Sequence, residues 1–199
     1  MASAGTGEAL VVDPGAEPDR IRRSLQASGL RCAAILVTHA HHDHIGAVGP
    51  LARDGSSPVY ASRGEASILS APSTGLESGL GPIEPHDPEV LLDGGERLEL
   101  AGLDVEVLAV PGHSPAALAF RITDPADGDE QVFVGDVIFA GSVGRTDLPG
   151  SSWPVLERSI LELYDAVGLD VPIHPGHGPS TTLGRERATN PFLDAVRAR

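Results

Sequence analysis

The stretch Thr38-His39-Ala40-His41-His42-Asp43-His44 follows directly on the apolar run Cys32-Ala-Ala-Ile-Leu-Val37. An unbroken apolar run of this kind, bounded by polar residues, reads as a buried strand. Before it, Arg20 to Ser28 reads as a helix, with Ile21 and Leu25 at i, i+4 spacing and Gly29 as its C-cap. Earlier still, Ala9 to Val12 closes on Asp13-Pro14-Gly15, a strand entering a turn. Strand, helix and strand within about 30 residues form an α/β unit. The His-rich loop therefore leaves the C-terminal end of a buried strand, where such units bind their ligands. His39, His41, Asp43 and His44 are nitrogen and oxygen donors of the type that suits zinc, iron or manganese.

Further along, Ile45 to Arg53 reads as a helix, Val59 to Ala61 as a short strand and Gly64 to Leu69 as a helical turn. Residues 70–88 hold four prolines and three glycines, and read as a long irregular loop or lid whose role composition leaves open. Arg97 to Leu100 and Leu103 to Val110 alternate apolar and polar residues around Gly102, as a half-exposed hairpin does. Ala117 to Ile122 and Gln131 to Val134 form a second hairpin across the turn cluster Asp124 to Asp129. Trp153 to Val167 recovers helical spacing, Val171 to Ile173 is a short strand, and a last helix covers about Gly184 to Ala198. This order of elements suggests two sheets flanked by helices.

Three downstream loops offer further donors, each after a strand or short apolar run: His113 in Val110-Pro-Gly-His-Ser114, Asp136 in Val134-Gly-Asp-Val137 and His177 in Pro175-Gly-His-Gly178. Glycine beside each donor lets the backbone turn sharply and project the side chain into a shared cleft.

The succession H-x-H-x-D-H, G-H, G-D and G-H-G resembles the metallo-β-lactamase superfamily over nearly the whole chain. The segments Gly135 to Asp147, Pro175 to Thr182 and Glu186 to Pro191 resemble, more narrowly, short glyoxalase II-type hydroxyacylglutathione hydrolases. That resemblance implies an αββα sandwich, two mixed sheets face to face with helices outside, as a single domain over residues 1–199. With 22 residues after His177, no separate C-terminal helical thiol-binding domain is expected. It also implies that His39, His41 and His113 hold one metal, Asp43, His44 and His177 a second, with Asp136 bridging. Asp43 and Asp136 are then both ligands and candidate catalytic groups.

Two divalent ions, zinc foremost with iron or manganese as options, against two carboxylates favour a hydroxide at neutral pH. The implied reaction is hydrolysis of an acyl-thioester of a low-molecular-weight thiol by metal-bound hydroxide. Thiolate leaves readily without a dedicated acid. Arg145 is the candidate for gripping a thiol carboxylate, against the plainer expectation that it pairs with Asp147 on the surface. The absence of lysine and of the helical domain leaves the thiol open between glutathione and another such as mycothiol. The alternative reading is a mononuclear iron persulfide dioxygenase, an oxidoreductase using His39, His113 and Asp136 as a facial triad. The intact second donor set and the Phe139 to Gly144 loop favour the hydrolase.

Composition agrees. The 199 residues are 41% apolar and 21% charged, ordinary globular usage. All 14 cations are arginine against 28 acidic residues, a net charge of −14, which argues against nucleic-acid partners and against a β-lactamase site built on a lysine. No apolar run is long enough to span a membrane, so no membrane partner is expected. The N-terminus lacks the charge and apolar core of a secretory signal, and the single Cys32 forms no intramolecular disulfide, so a cytoplasmic location is expected. Monomer and dimer stay equally open. His42, His86 and His174 fall outside the donor pattern, and Thr38 and Ser114 read either as turn residues or as groups that orient neighbouring imidazoles.

Overall fold

Period-two alternation along the strands decides how the layers stack. The computed structural model describes residues 1–3, 5–53, 57–72 and 81–194. Its first half runs Glu8–Val12 (β1), Pro18–Ala27 (α1), Arg31–Leu36 (β2), His42–Ile45 (α2), Val48–Ala52 (α3), Val59–Ser62 (β3), Ala66–Ser70 (α4) and Val90–Leu92 (β4). The second half runs Arg97–Leu100 (β5), Leu103–Ala109 (β6), Leu118–Thr123 (β7), Glu130–Gly135 (β8), Ile138–Phe139 (β9), Ser142–Val143 (β10), Trp153–Ala166 (α5), Pro172–Pro175 (β11), Thr181–Thr182 (β12) and Leu183–Thr189 (α6).

One sheet has the order β1-β2-β3-β4 and the other β12-β11-β8-β7-β6-β5. Leu10, Ala34 and Leu36 of the first pack against Val105, Val107, Leu118, Phe120 and Ile122 of the second, filling the space between the sheets. Their neighbours one residue along face outward. Ile35, Val59 and Ala61 bury against Ile45, Val48 and Leu51 of the short helices. Ala119, Val132 and Val134 bury against Leu156, Ile160 and Leu163 of α5. This is the expected αββα sandwich, each layer sealed by side chains that alternate across a strand. Each fully buried aliphatic side chain of α5 contributes about 1.5–3 kcal/mol through lost apolar exposure.

In detail the structure departs from the reading at several points. Only the six-stranded sheet is mixed; the four-stranded one is wholly parallel, because each of its connections crosses over through helical segments rather than turning back as a hairpin. The helix expected over 45–53 is two short ones, α2 and α3. The Ala47 N–H leaves the helical ladder to donate to Pro14 O (2.8 Å), and Gly46 packs so closely on Gly15 that a Cβ would overlap Gly15 O. The helix expected over 184–198 ends at Thr189. Asn190 is extended, and Pro191, which lacks an N–H, opens a 3-10 turn to Leu193. Residues 195–199 lie outside the described residues, as do 73–80 within the loop or lid read at 70–88. Among the described residues, no helix is long and apolar enough to cross a membrane.

β7 runs antiparallel to both β6 and β8, and β11 runs parallel to β8, so β6, β8 and β11 share one direction. The loops carrying His113, Asp136 and His177 therefore leave one edge of the sheet. At that edge the Leu118 N–H donates to Thr38 O (2.8 Å), tying the second sheet to the loop that leaves β2.

Candidate metal centre

The four loops converge, and all seven donors come together. The ligand atoms of His39, His41 and His113 lie within 4.8 Å of one another, and so do those of Asp43, His44 and His177. Asp136 stands between the two groups. Its Oδ2 is 3.5 Å from His113 Nε2 and 3.6 Å from His177 Nε2, and its Oδ1 is 3.4 Å from His44 Nε2. Across the groups, the His39 and His44 rings are 4.1 Å apart between centroids. His41 Nδ1 is 2.9 Å from His113 Nε2, and Asp43 Oδ2 is 2.9 Å from His177 Nε2.

Neighbouring groups set the tautomers. His113 Nδ1 donates to Arg145 O (2.8 Å), which leaves Nε2 bearing its lone pair toward the cluster. Asp13 Oδ2 accepts from His44 Nδ1 (2.9 Å) and from the Thr38 hydroxyl (2.6 Å), while Oδ1 accepts from the Thr38 N–H (2.7 Å). With its proton on Asp13, Thr38 Oγ1 accepts from His39 Nδ1 (3.0 Å). Thr38 thus orients an imidazole. Asp13, read from sequence only as a turn residue, is the group behind both His39 and His44. Asp13 also belongs to a third donor group with His39 and His44, but its oxygens are already spent on Nδ1 and hydroxyl protons.

The donor set fits divalent cations. His39 Nε2, His44 Nε2 and Asp136 Oδ1 are buried and have no hydrogen-bond partner, whereas buried polar atoms in folded proteins are nearly always paired. Burial, then the neighbouring imidazoles His44, His41 and His113, pushes the pKa of His39 well below the ordinary histidine value, keeping it a neutral donor. Burial likewise disfavours a charged His44, but the hydrogen bond to Asp13 and the attraction of the Asp13 and Asp136 carboxylates outweigh it and push its pKa up to about 10. Two carboxylates converging on one buried imidazole call for a positive charge at that point.

The cluster floors a cavity of about 800 Å³ with an apolar wall of Ile68, Phe139, Val143, Leu148 and Pro149. β9 and β10 position Phe139 and Val143. Buried Glu186 accepts from the Gly141 N–H (2.8 Å), and Asn190 Nδ2 donates to Ser142 O (2.8 Å), so α6 anchors that small hairpin. Arg145 lines the same cavity, and its guanidinium makes a two-pronged pair with exposed Asp147 at 2.7 and 2.8 Å. The plainer expectation, a surface pair with Asp147, is what the structure shows, at a position that also faces the cavity. His42 lines the cavity too but belongs to none of the donor groups. His86 pairs with Glu89, and His174 lies between Ser180 and Gln131.

A family model described as the metallo-beta-lactamase superfamily matches residues 3–177. Hydroxyacylglutathione hydrolase GloC of Haemophilus influenzae is 34% identical over 191 residues, which cover 94% of this chain and 88% of that relative. A crystal structure of TTHA1623 in a di-iron-bound form aligns with a TM-score of 0.80 at 44% identity, covering 92% of this chain and 88% of that one. The BLEG-1 B3 metallo-beta-lactamase aligns with a TM-score of 0.86 at 35% identity, covering 96% and 91%.

Proposed function

Because the chain belongs to the metallo-beta-lactamase superfamily, we propose that it is a metal-dependent hydrolase acting on acyl-thioesters of a low-molecular-weight thiol. The observation that carries this reading is the pair of three-residue donor groups with Asp136 between them on the floor of one cavity. Divalent ions bound there, zinc foremost and iron or manganese next, supply Lewis acidity and an acidified water. The chain's own side chains do the rest. Arg145 O and Asp13 hold the lone pairs of His113, His44 and, through Thr38, His39 toward the centre. The wall of Ile68, Phe139, Val143, Leu148 and Pro149 offers the acyl group an apolar surface. A departing thiolate needs no general acid, and no lysine or cysteine lines this cavity.

The hydroxyacylglutathione hydrolase relative supports the thioester and the di-iron neighbour supports two metal positions. Arg145, the cation on the cavity wall, takes a carboxylate on the thiol half. A net charge of −14 supports a small-molecule partner over a nucleic acid.

The test is metal analysis of the purified protein with rate assays on S-lactoyl conjugates of glutathione and mycothiol. Oxygen uptake on a persulfide and turnover of a chromogenic cephalosporin are the other two arms. Two metals per chain, with thioester turnover lost in Asp136→Ala, sustains the reading. One iron with oxygen consumption transfers the protein to the dioxygenases. Faster β-lactam than thioester turnover makes it a lactamase, the activity in the name of the BLEG-1 neighbour.

A further inference from the structure

Glu65, at the start of α4, is 3% exposed, and its carboxylate spans two of the loops that build the centre. Oε2 accepts from the Ala40 N–H (2.7 Å), the residue between His39 and His41. Oε1 accepts from the Ala116 N–H (3.1 Å) and from the hydroxyl of Ser114, the residue after His113. The approach is close on this side: a Cβ on Gly64 would lie 2.6 Å from Ala116 Cβ. One buried carboxylate thus joins the backbone segments that carry all three donors of the His39/His41/His113 group.

Its partners are uncharged donors, and a buried carboxylate without an opposite charge is costly. A cation held by the three imidazoles would supply that charge. Asp13 acts differently, holding the His44 imidazole directly and His39 through Thr38, so Glu65 is the acid that joins the His41 and His113 loops.

We propose that Glu65 is the positioning residue of the first metal position, fixing the spacing of His39, His41 and His113 and providing the buried negative charge that favours a divalent cation there. The inference rests on the two-metal reading above.

Glu65→Gln is nearly isosteric yet offers an acceptor at only one end, while both ends of Glu65 face donors. One loop must therefore lose its anchor. Metal-stripped full-length protein is titrated with Zn²⁺, and with Co²⁺ for its absorption. The wild type is expected to take two equivalents. E65Q should keep one and hold the other about ten- to hundredfold more weakly, the range for lost outer support of a ligand. In a His177→Ala background, which cripples the other group, E65Q should weaken the equivalent that remains. Ser114→Ala removes one donor and leaves the carboxylate, so it should weaken the same position by less. It carries the test if E65Q fails to fold.

Two tight equivalents in E65Q, or equal weakening of both with Ser114→Ala silent, overturns the inference and makes Glu65 a general folding residue. A wild type taking one equivalent defeats the two-metal reading, and retention of that equivalent by E65Q then overturns the role of Glu65 as well.

Discussion

Asp13 Oδ2 accepts the Nδ1 proton of His44 at 2.9 Å, although Asp13 lies in the turn after β1 and His44 in α2, beyond β2. An ionised carboxylate only accepts, so Nδ1 keeps its proton, and a metal ion would replace the second proton at Nε2, on the side of Asp136. Asp13 has φ +46°, a conformation that asparagine tolerates well. Asp13→Asn should therefore keep the backbone and disturb the tautomer, since its amide must oppose the protons of either Thr38 or His44. The expected outcome is a ten- to hundredfold loss of metal affinity, read by competition with a chromogenic chelator, with far-UV circular dichroism unchanged.

Removing metal should destabilise the fold. Without it, His39 Nε2, His44 Nε2 and Asp136 Oδ1 are buried without partners. A ligand at about a thousandfold its Kd adds roughly 4 kcal/mol, and for a domain of this size each kcal/mol is worth about 2–4 °C. Differential scanning fluorimetry should show Tm falling by about 10 °C with a strong chelator and returning when metal is restored. An unchanged Tm would mean that these atoms hold no ion.

The difference between what was legible and what was not follows from sequence separation. The donors announce themselves because H-x-H-x-D-H is dense and each later donor sits beside a glycine at a strand end. An unbroken apolar run similarly exposes β2, alternation exposes β6 and helical spacing exposes α5, the last two burying residues at periods of 2 and 3.6. Asp13 and Glu65 are silent because their partners, Thr38 and Ala40, are brought to them only by parallel strand pairing and loop closure. The one signal for Asp13 was its place after β1, the strand beside the one that feeds the His-rich loop. The two-residue strands β9, β10 and β12 are too short for any pattern.

Gly176 gives a test of the site that leaves the core alone. A Cβ there would overlap Asp136 Oδ1 and His44 Cε1, and the Gly176 N–H is tied to Gly135 O (2.9 Å), so the backbone has little room to retreat. Gly176→Ala should push both side chains aside. Misplacement of catalytic groups by about 1 Å can cost about a hundredfold in rate, so kcat should fall by that order and bound metal should drop. Circular dichroism should stay native. Full metal content with wild-type kcat would mean that Asp136 and His44 are not held where the donor groups require them.

Arg145 and Asp147 make the last prediction. Arg145 holds the Asp147 carboxyl down to about 2 through their side-chain hydrogen bonds, so Asp147 stays ionised across the working pH range. An anionic thiol must then compete with an internal carboxylate for the same guanidinium. Arg145→Ala should raise KM for the preferred thioester about tenfold with kcat little changed, the pattern of lost uniform binding. Asp147→Ala should do the reverse and lower KM, because the guanidinium is released to the substrate. Both effects should shrink for a neutral acyl-thioester and at high salt, since the pair is exposed. Steady-state kinetics on charged and neutral thiol conjugates decides the matter. If Asp147→Ala and Arg145→Ala shift KM in the same direction, the pair serves the loop rather than the substrate.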